Sequence, residues 1–276
     1  MQSVPQPYHQ ISFQRDGVEI ARYHYSPELN RPFFFPIIGP SGRPLTRMGH
    51  PHDPDSHSHH NSVWISHNDV NGVSFWDDKG KGRIIQRRFS IDGASESDRE
   101  LYESMVNEWI TDRGEFLVEE TRGVQIQARP GKEWLMHLDI NLTARDRAVT
   151  FGKTPFGLLG VRMAKTIGVK DGGGEIRNSE GGVNEKGVLW KVARWVDYSG
   201  PIMNTAVEGI TILASDPTFF HVRDDGWMGA CLTYGGPITI PPHGSKFIHY
   251  ALYIHSGKPS PTLIEKVWRS AQGPRP

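Results

Sequence analysis

The sequence predicts an all-β fold: a large antiparallel β-sandwich with one short C-terminal helix. Three observations point there. Apolar and polar residues alternate with a period of two over long segments. The 276 residues include 30 glycines and 20 prolines, a turn-rich composition that helical proteins avoid. Only one stretch, near the C-terminus, carries a helical period.

The elements follow in order. Residues 84–91, 102–110, 116–126 and 134–142 read as neighbouring strands of a meander, with Asp112-Arg113-Gly114 and Arg129-Pro130-Gly131 as turns. Asp171-Gly172-Gly173-Gly174 reads as a hairpin turn or mobile loop, because it lacks the lysine and helix of a phosphate loop. Residues 190–198 read as a strand with Trp190, Val192 and Arg194 on one face and Lys191, Trp195 and Asp197 on the other. Residues 206–214 are apolar and β-branched. Ile238-Thr239-Ile240, the turn Pro241-Pro242-His243-Gly244 and residues 247–255 make a hairpin that puts His249 and His255 on one face. Ser260-Pro261 caps a helix whose apolar face is Leu263, Ile264, Val267, Trp268 and Ala271. One domain over residues 1–276 is expected, with core sheets at 8–257 and the helix at 260–272.

Bulk properties exclude several functions. Lys+Arg and Asp+Glu are both 31, so nothing draws the chain to nucleic acid or an anionic membrane. The single cysteine, Cys231, cannot form an internal disulfide and fits a reducing compartment. The opening Met1-Gln2-Ser3-Val4-Pro5-Gln6-Pro7 lacks a basic and an apolar region, and no apolar run reaches the roughly 20 residues of a membrane span. A cytoplasmic location is expected. The sequence does not set an oligomeric state. There is no Gly-x-Ser-x-Gly nucleophile elbow and no dinucleotide fingerprint.

The chemistry concentrates in histidine. Six of the 13 histidines, His50, His52, His57, His59, His60 and His67, fall between positions 50 and 67. His50 and His52 sit among prolines and read as passengers. Histidine is the commonest metal ligand and the side chain that most readily changes charge near neutral pH. One reading is a divalent metal held by His57, His59 and His67. Cupin and metallo-β-lactamase spacings do not match, and no metal site is firm. Adjacent His59 and His60 on a strand would face opposite sides. A second reading is acid–base work on, or hydrogen bonding to, a polyhydroxylated ligand, since neutral imidazole both donates and accepts. The third is a polar surface loop without a role. Elsewhere, Trp190 to Tyr198 sets aromatics beside charges, a surface suited to sugar rings. His221-Val222-Arg223-Asp224-Asp225 sets two basic groups ahead of a carboxylate pair.

An ordered motif set adds a resemblance. Arg31-Pro32-Phe33-Phe34-Phe35-Pro36 and Thr46-Arg47 precede His57-Ser58-His59-His60-Asn61-Ser62-Val63-Trp64, then His67-Asn68-Asp69-Val70-Asn71-Gly72 and Phe75-Trp76. Asn178-Ser179-Glu180-Gly181, Trp190-Lys191, Arg194-Trp195-Val196-Asp197-Tyr198, His221-Val222-Arg223 and His255 follow. This set resembles the PmoA-like family of bacterial proteins. The family has no settled activity, and the methane monooxygenase its name suggests is a membrane enzyme. The resemblance implies a galactose-mutarotase-like supersandwich and sugar chemistry. By position it implies His57, His59, His67, Glu185 and Arg223 as catalytic groups. It implies His60, Asn71, Glu180, Lys191, Arg194, His221 and His255 as ligand contacts. The family's usual His-Pro-His-His-Arg-Gly-Leu-Trp departs here at Ser58 and at Asn61-Ser62-Val63, which removes a positive charge. The expected ligand is a small molecule or oligosaccharide. An epimerase, lyase or hydrolase, a non-catalytic sugar binder and a metal-dependent oxygenase or hydrolase remain alternatives.

Overall fold

The computed structural model describes residues 1–49, 57–90 and 95–272. Among them, one antiparallel sheet of 16 strands carries the fold. No helix there is long and apolar enough to cross a membrane. The expected meander is present: Gly82–Phe89, Glu100–Thr111, Phe116–Ala128 and Trp134–Thr143 lie side by side. The sheet continues through Ser245–Ser256 to Ala206–Arg223. Its other wing runs from Gln2–Gln6 to Phe33–Ile37, then Val63–His67, Gly157–Arg162 and Trp227–Cys231.

One strand turns this sheet into two layers. The first part of Ala206–Arg223, residues 208–214, pairs with Ser245–Ser256, and its last part, 219–223, pairs with Trp227–Cys231. Lys191–Met203 follows its opposite edge along both parts. Residues 215–217 enter neither ladder, and Pro217 has no N–H to offer one. The strand bends there, and the wings fold over each other.

Alternation then fills the space between the layers. Phe13, Tyr23, Phe34, Val63 and Ile65 of one wing join Met105, Trp109, Val124, Leu138 and Ile140 of the other in one buried core. Each such side chain contributes about 1.5–3 kcal/mol on burial. The core also holds an ion pair: Arg122 Nε donates to Glu120 Oε1 at 2.5 Å, and Trp109 Nε1 donates to Glu120 Oε2 at 2.7 Å. Both charged side chains are fully buried.

Three local expectations change. The helix Pro261–Ala271 is capped as expected, Ser260 Oγ accepting from Leu263 N–H at 3.2 Å. It packs Ile264, Val267 and Ala271 on Leu135, Trp195 and Tyr253, but Leu263 points to solvent. The strand expected from Trp190 begins at Lys191, because Trp190 has φ 59°. A bulge between Ala193 and Trp195 then shifts the register. Trp190 and Arg194 therefore do not share a surface. The glycine-rich segment is close-packed instead of forming a hairpin. A Cβ on Gly172 would lie 1.8 Å from Thr166 O, and one on Gly174 1.8 Å from Ile167 O.

Candidate functional site

The outer face of one layer carries the site. On Val63–His67, Trp227–Cys231 and the end of Ala206–Arg223, the inward positions are Val63, Ile65, Met228, Ala230, Phe220 and Val222. Alternation sends Trp64, Trp227, His221 and Arg223 the other way. Gly160 makes room for the indoles: a Cβ there would meet Trp227 Cη2 at 2.8 Å and Trp64 Cζ2 at 2.9 Å. Trp64 and Trp227 pack at 5.3 Å between centroids, and Trp76 stands edge-on to Trp227 at 5.7 Å. These rings underlie a cavity of about 790 Å³.

Histidines form one wall. His57 stacks on His60 at 4.5 Å and 8°, and His60 stacks on Trp227 at 4.8 Å and 25°. His59 stands edge-on to His60 at 4.5 Å. The expectation that His59 and His60 face apart is corrected here. They lie in a turn and not on a strand, and both line the cavity. Burial is the main cause of their low basicity. It lowers His59 to about 4, with help from the positive Arg31. It lowers His221 to about 4, with help from Arg223. His60 is pushed down further still, by burial and then by His59. These three imidazoles are neutral at pH 7.

Charged pairs line the same cavity, one of them against His57. Arg162, 1% exposed, donates to Asp225 Oδ1 at 2.7 Å and to Oδ2 at 3.2 Å. Burial alone would raise the Asp225 carboxyl, but the Arg162 bonds outweigh it and hold it below the usual carboxylate range. His57 Nδ1 lies 3.4 Å from the same guanidinium and 3.9 Å from Asp225 Oδ2. Glu185 Oε1 accepts from Arg223 at 2.6 Å. Glu185 and Asp224 each accept the other's backbone N–H, at 3.1 and 2.9 Å. The turn that carries Asp224 and Asp225 needs Gly226 at φ 95°, and Gly226 N–H donates to Tyr198 Oη at 3.0 Å.

Of the residues singled out in the sequence, His57, His59, His60, Glu185, His221 and Arg223 line this cavity. Six do not. His67 faces the main core, where Nε2 bonds Thr233 Oγ1 at 2.8 Å, Nδ1 accepts from Asp69 N–H at 3.1 Å and the ring meets Phe151. Asn71 clamps a turn, bonding Ala148 O at 3.2 Å and Thr150 N–H at 2.7 Å. Glu180 and Arg194 pair at 3.4 Å near the C-terminal helix. Lys191 is exposed at a strand start. His255 is fully buried on the outer face of the other layer, 2.8 Å from Asp197. His50 and His52 lie outside the described residues. The set His57, His59 and His67 is not assembled as metal ligands. Among the described residues no group of three His, Cys, Asp or Glu stands ready to hold an ion. Cys231 is buried, its thiol pushed up to about 12 and donating to Pro155 O at 3.0 Å, so it is no nucleophile.

Sequence reasoning missed Arg162, Trp227, Phe156 and Lys170. The strand Gly157–Arg162 is short and apolar and follows no strict alternation, so nothing flagged its last residue. Trp227 was legible two residues beyond Asp225, on the strand after the turn.

A model of a family of unknown function, DUF6807, matches residues 10–269. No curated protein matches. Galactose 1-epimerase from Lactobacillus acidophilus NCFM is similar in structure at 7% identity and a TM-score of 0.43, covering 90% of this chain and 98% of that one. An aldose epimerase homologue from C. elegans is similar at 5% identity and a TM-score of 0.39, covering 93% and 98%.

Proposed function

We propose that this chain, which belongs to the DUF6807 family of unknown function, binds a sugar or sugar derivative in the histidine-walled cavity and acts on it by acid–base chemistry. One observation carries the reading: an aromatic floor faces hydrogen-bonding walls across about 790 Å³. A sugar ring offers apolar C–H faces and a rim of hydroxyls, and such a cavity matches both. The neutral His59, His60 and His221 donate and accept hydrogen bonds. His57, Asp225 and Glu185 supply the acid–base groups, with Arg223 beside Glu185 to polarise an oxygen. The PmoA-like resemblance supports this, because residues from motifs far apart in sequence meet here: His57 to His60, Glu185, and His221 with Arg223.

The neutrality of the three buried imidazoles favours one second reading, a protein that binds a sugar and does not convert it. NMR of a sugar panel during long incubation separates the two. Ligand shifts followed by product peaks, slowed about 10²–10⁴-fold in His57→Gln, are the expected result. Shifts without product establish the binder. If no sugar shifts, or if Trp227→Ala binds as well as the native protein, the sugar reading is wrong.

A further inference from the structure

The cavity is larger than one sugar ring needs. Its volume of about 790 Å³ lies toward the upper end of the roughly 300–1,000 Å³ that enclose drug-sized ligands. It also has an aromatic continuation. On Ala206–Arg223, Phe219 shares the outer face with His221, because Phe220 between them points to the core. His221 meets Phe156 and Trp227 of the cavity at 5.6 and 5.9 Å, and from it a row of rings leads outward. His221 packs on Trp190 at 4.4 Å and 31°, and Trp190 stacks on Tyr234 at 4.5 Å and 11°. Tyr234 then meets Phe219 edge-on at 5.1 Å. Trp190, Tyr234 and Phe219 are each half-buried, and Val192, 43% exposed, pairs with Phe219 beside them.

The backbone fixes this row. The helix Asn184–Val188, which carries Glu185 to the cavity, ends with Leu189 N–H on Glu185 O at 2.9 Å, and Trp190 comes next. Trp190 keeps φ 59°, a region that a bulky side chain rarely enters, with its N–H on Phe220 O at 2.9 Å. Such backbone persists where its surroundings over-determine it, and it collects at ligand sites. Tyr234 sits in a turn closed by Gly236 N–H to Thr233 O at 3.2 Å. Among the described residues neither Trp190 Nε1 nor Tyr234 Oη has a hydrogen-bond partner, and neither atom is shut off from solvent. Packing thus holds part of each ring and leaves a polar tip open. An apolar body with a polar tip suits a sugar ring.

We propose that Trp190, Tyr234 and Phe219 form a second subsite, so that the ligand is an oligosaccharide with one sugar unit in the cavity and the next against this row. This deepens the sugar reading and rests on it. Tyr234 Oη and Trp190 Nε1–H bond hydroxyls of the second unit, and the ring surfaces meet its C–H face.

The test titrates ¹⁵N-labelled full-length protein with glucose and galactose, then with cellobiose, maltose, lactose, cellotriose and maltotriose. Each of the eight tryptophans gives one indole N–H peak. Those of Trp190 and Trp227 are assigned as the peaks lost in Trp190→Phe and Trp227→Phe. The Trp227 peak is expected to move with sugars of either length, and the Trp190 peak only with the longer ones. A longer sugar should bind about 3–10-fold more tightly than its single unit. In Tyr234→Ala that ratio falls toward one. Monosaccharide binding with no gain from a second unit overturns the subsite and leaves the sugar reading standing. So does a bound disaccharide that leaves the Trp190 peak in place, or an unchanged ratio in a natively folded Tyr234→Ala protein. If no sugar of either length moves a peak, both readings fall together.

Discussion

A histidine whose burial outweighs the carboxylates near it is held neutral, and this chain holds several that way. His59, His67 and His221 fall from 6.5 to about 4, chiefly through burial. The unfolded chain takes up protons at these positions near pH 6.5, whereas the folded chain resists until about pH 4. Protonation therefore favours the unfolded state. The stability is fully present above pH 6.5 and is lost as pH falls toward 4. Asp197, with burial offset by His255 and Arg177, is lowered to about 2 from 3.8 and adds a separate loss as pH falls below 3.8 toward 2. Urea unfolding at a series of pH values is expected to show a decline between 6.5 and 4 that is shallower in the His59→Gln/His221→Gln double variant. An equal slope in that variant counts against the assignment.

At the scale of elements, the cavity floor depends on what a strand omits. Gly157–Arg162 passes beneath two indoles, and only glycine at 160 leaves them space. Gly160→Ala forces Trp64 and Trp227 apart and is expected to cost about 1–3 kcal/mol as overpacking. It should also weaken binding of any ligand on the floor, since Trp227 carries the His60 stack. Gly236→Ala is the matched control: nothing lies within 4 Å of its Cβ, and a change within about 0.5 kcal/mol is expected. Calorimetric melting of the two variants decides this, and equal losses would remove the indole argument.

At the scale of the molecule, two layers close over a core that includes a buried charge pair. Such a pair adds little over apolar residues of the same shape, but losing one partner leaves a bare charge in the interior. Arg122→Met strands Glu120 and is expected to destabilise by about 3–5 kcal/mol. The double change Glu120→Gln/Arg122→Met keeps an acceptor for Trp109 and should lose clearly less. Urea unfolding of the three proteins measures it, and a double variant worse than the single would show that the charges themselves hold the layers together. The bend at residues 215–217 sits between the wings and lets one strand serve both.

Much of this was legible in the chain. Period-two alternation set the meander and the face shared by Ile248, Tyr250, Leu252 and Ile254, because a strand's side chains alternate whatever they pack against. Ser260-Pro261 marked the helix start through local hydrogen bonding alone. The histidine density and the basic run at 221–223 marked parts of the cavity. Other assignments needed the tertiary structure. His67 sits on a strand and is turned to the core by the same alternation, while His59 and His60 reach one cavity because their backbone leaves the strand. Arg162 carries no local signal. Its role arises only because antiparallel pairing brings Trp227 opposite it and the following fold sets Asp225 and His57 against its guanidinium. The sequence by itself determined the faces of the regular strands and the capped helix, since both follow from short-range geometry, but not those of the bulged strand Lys191–Met203. Which polar groups meet was decided by a sheet folded over on itself, where partners lie 63 and 105 residues apart.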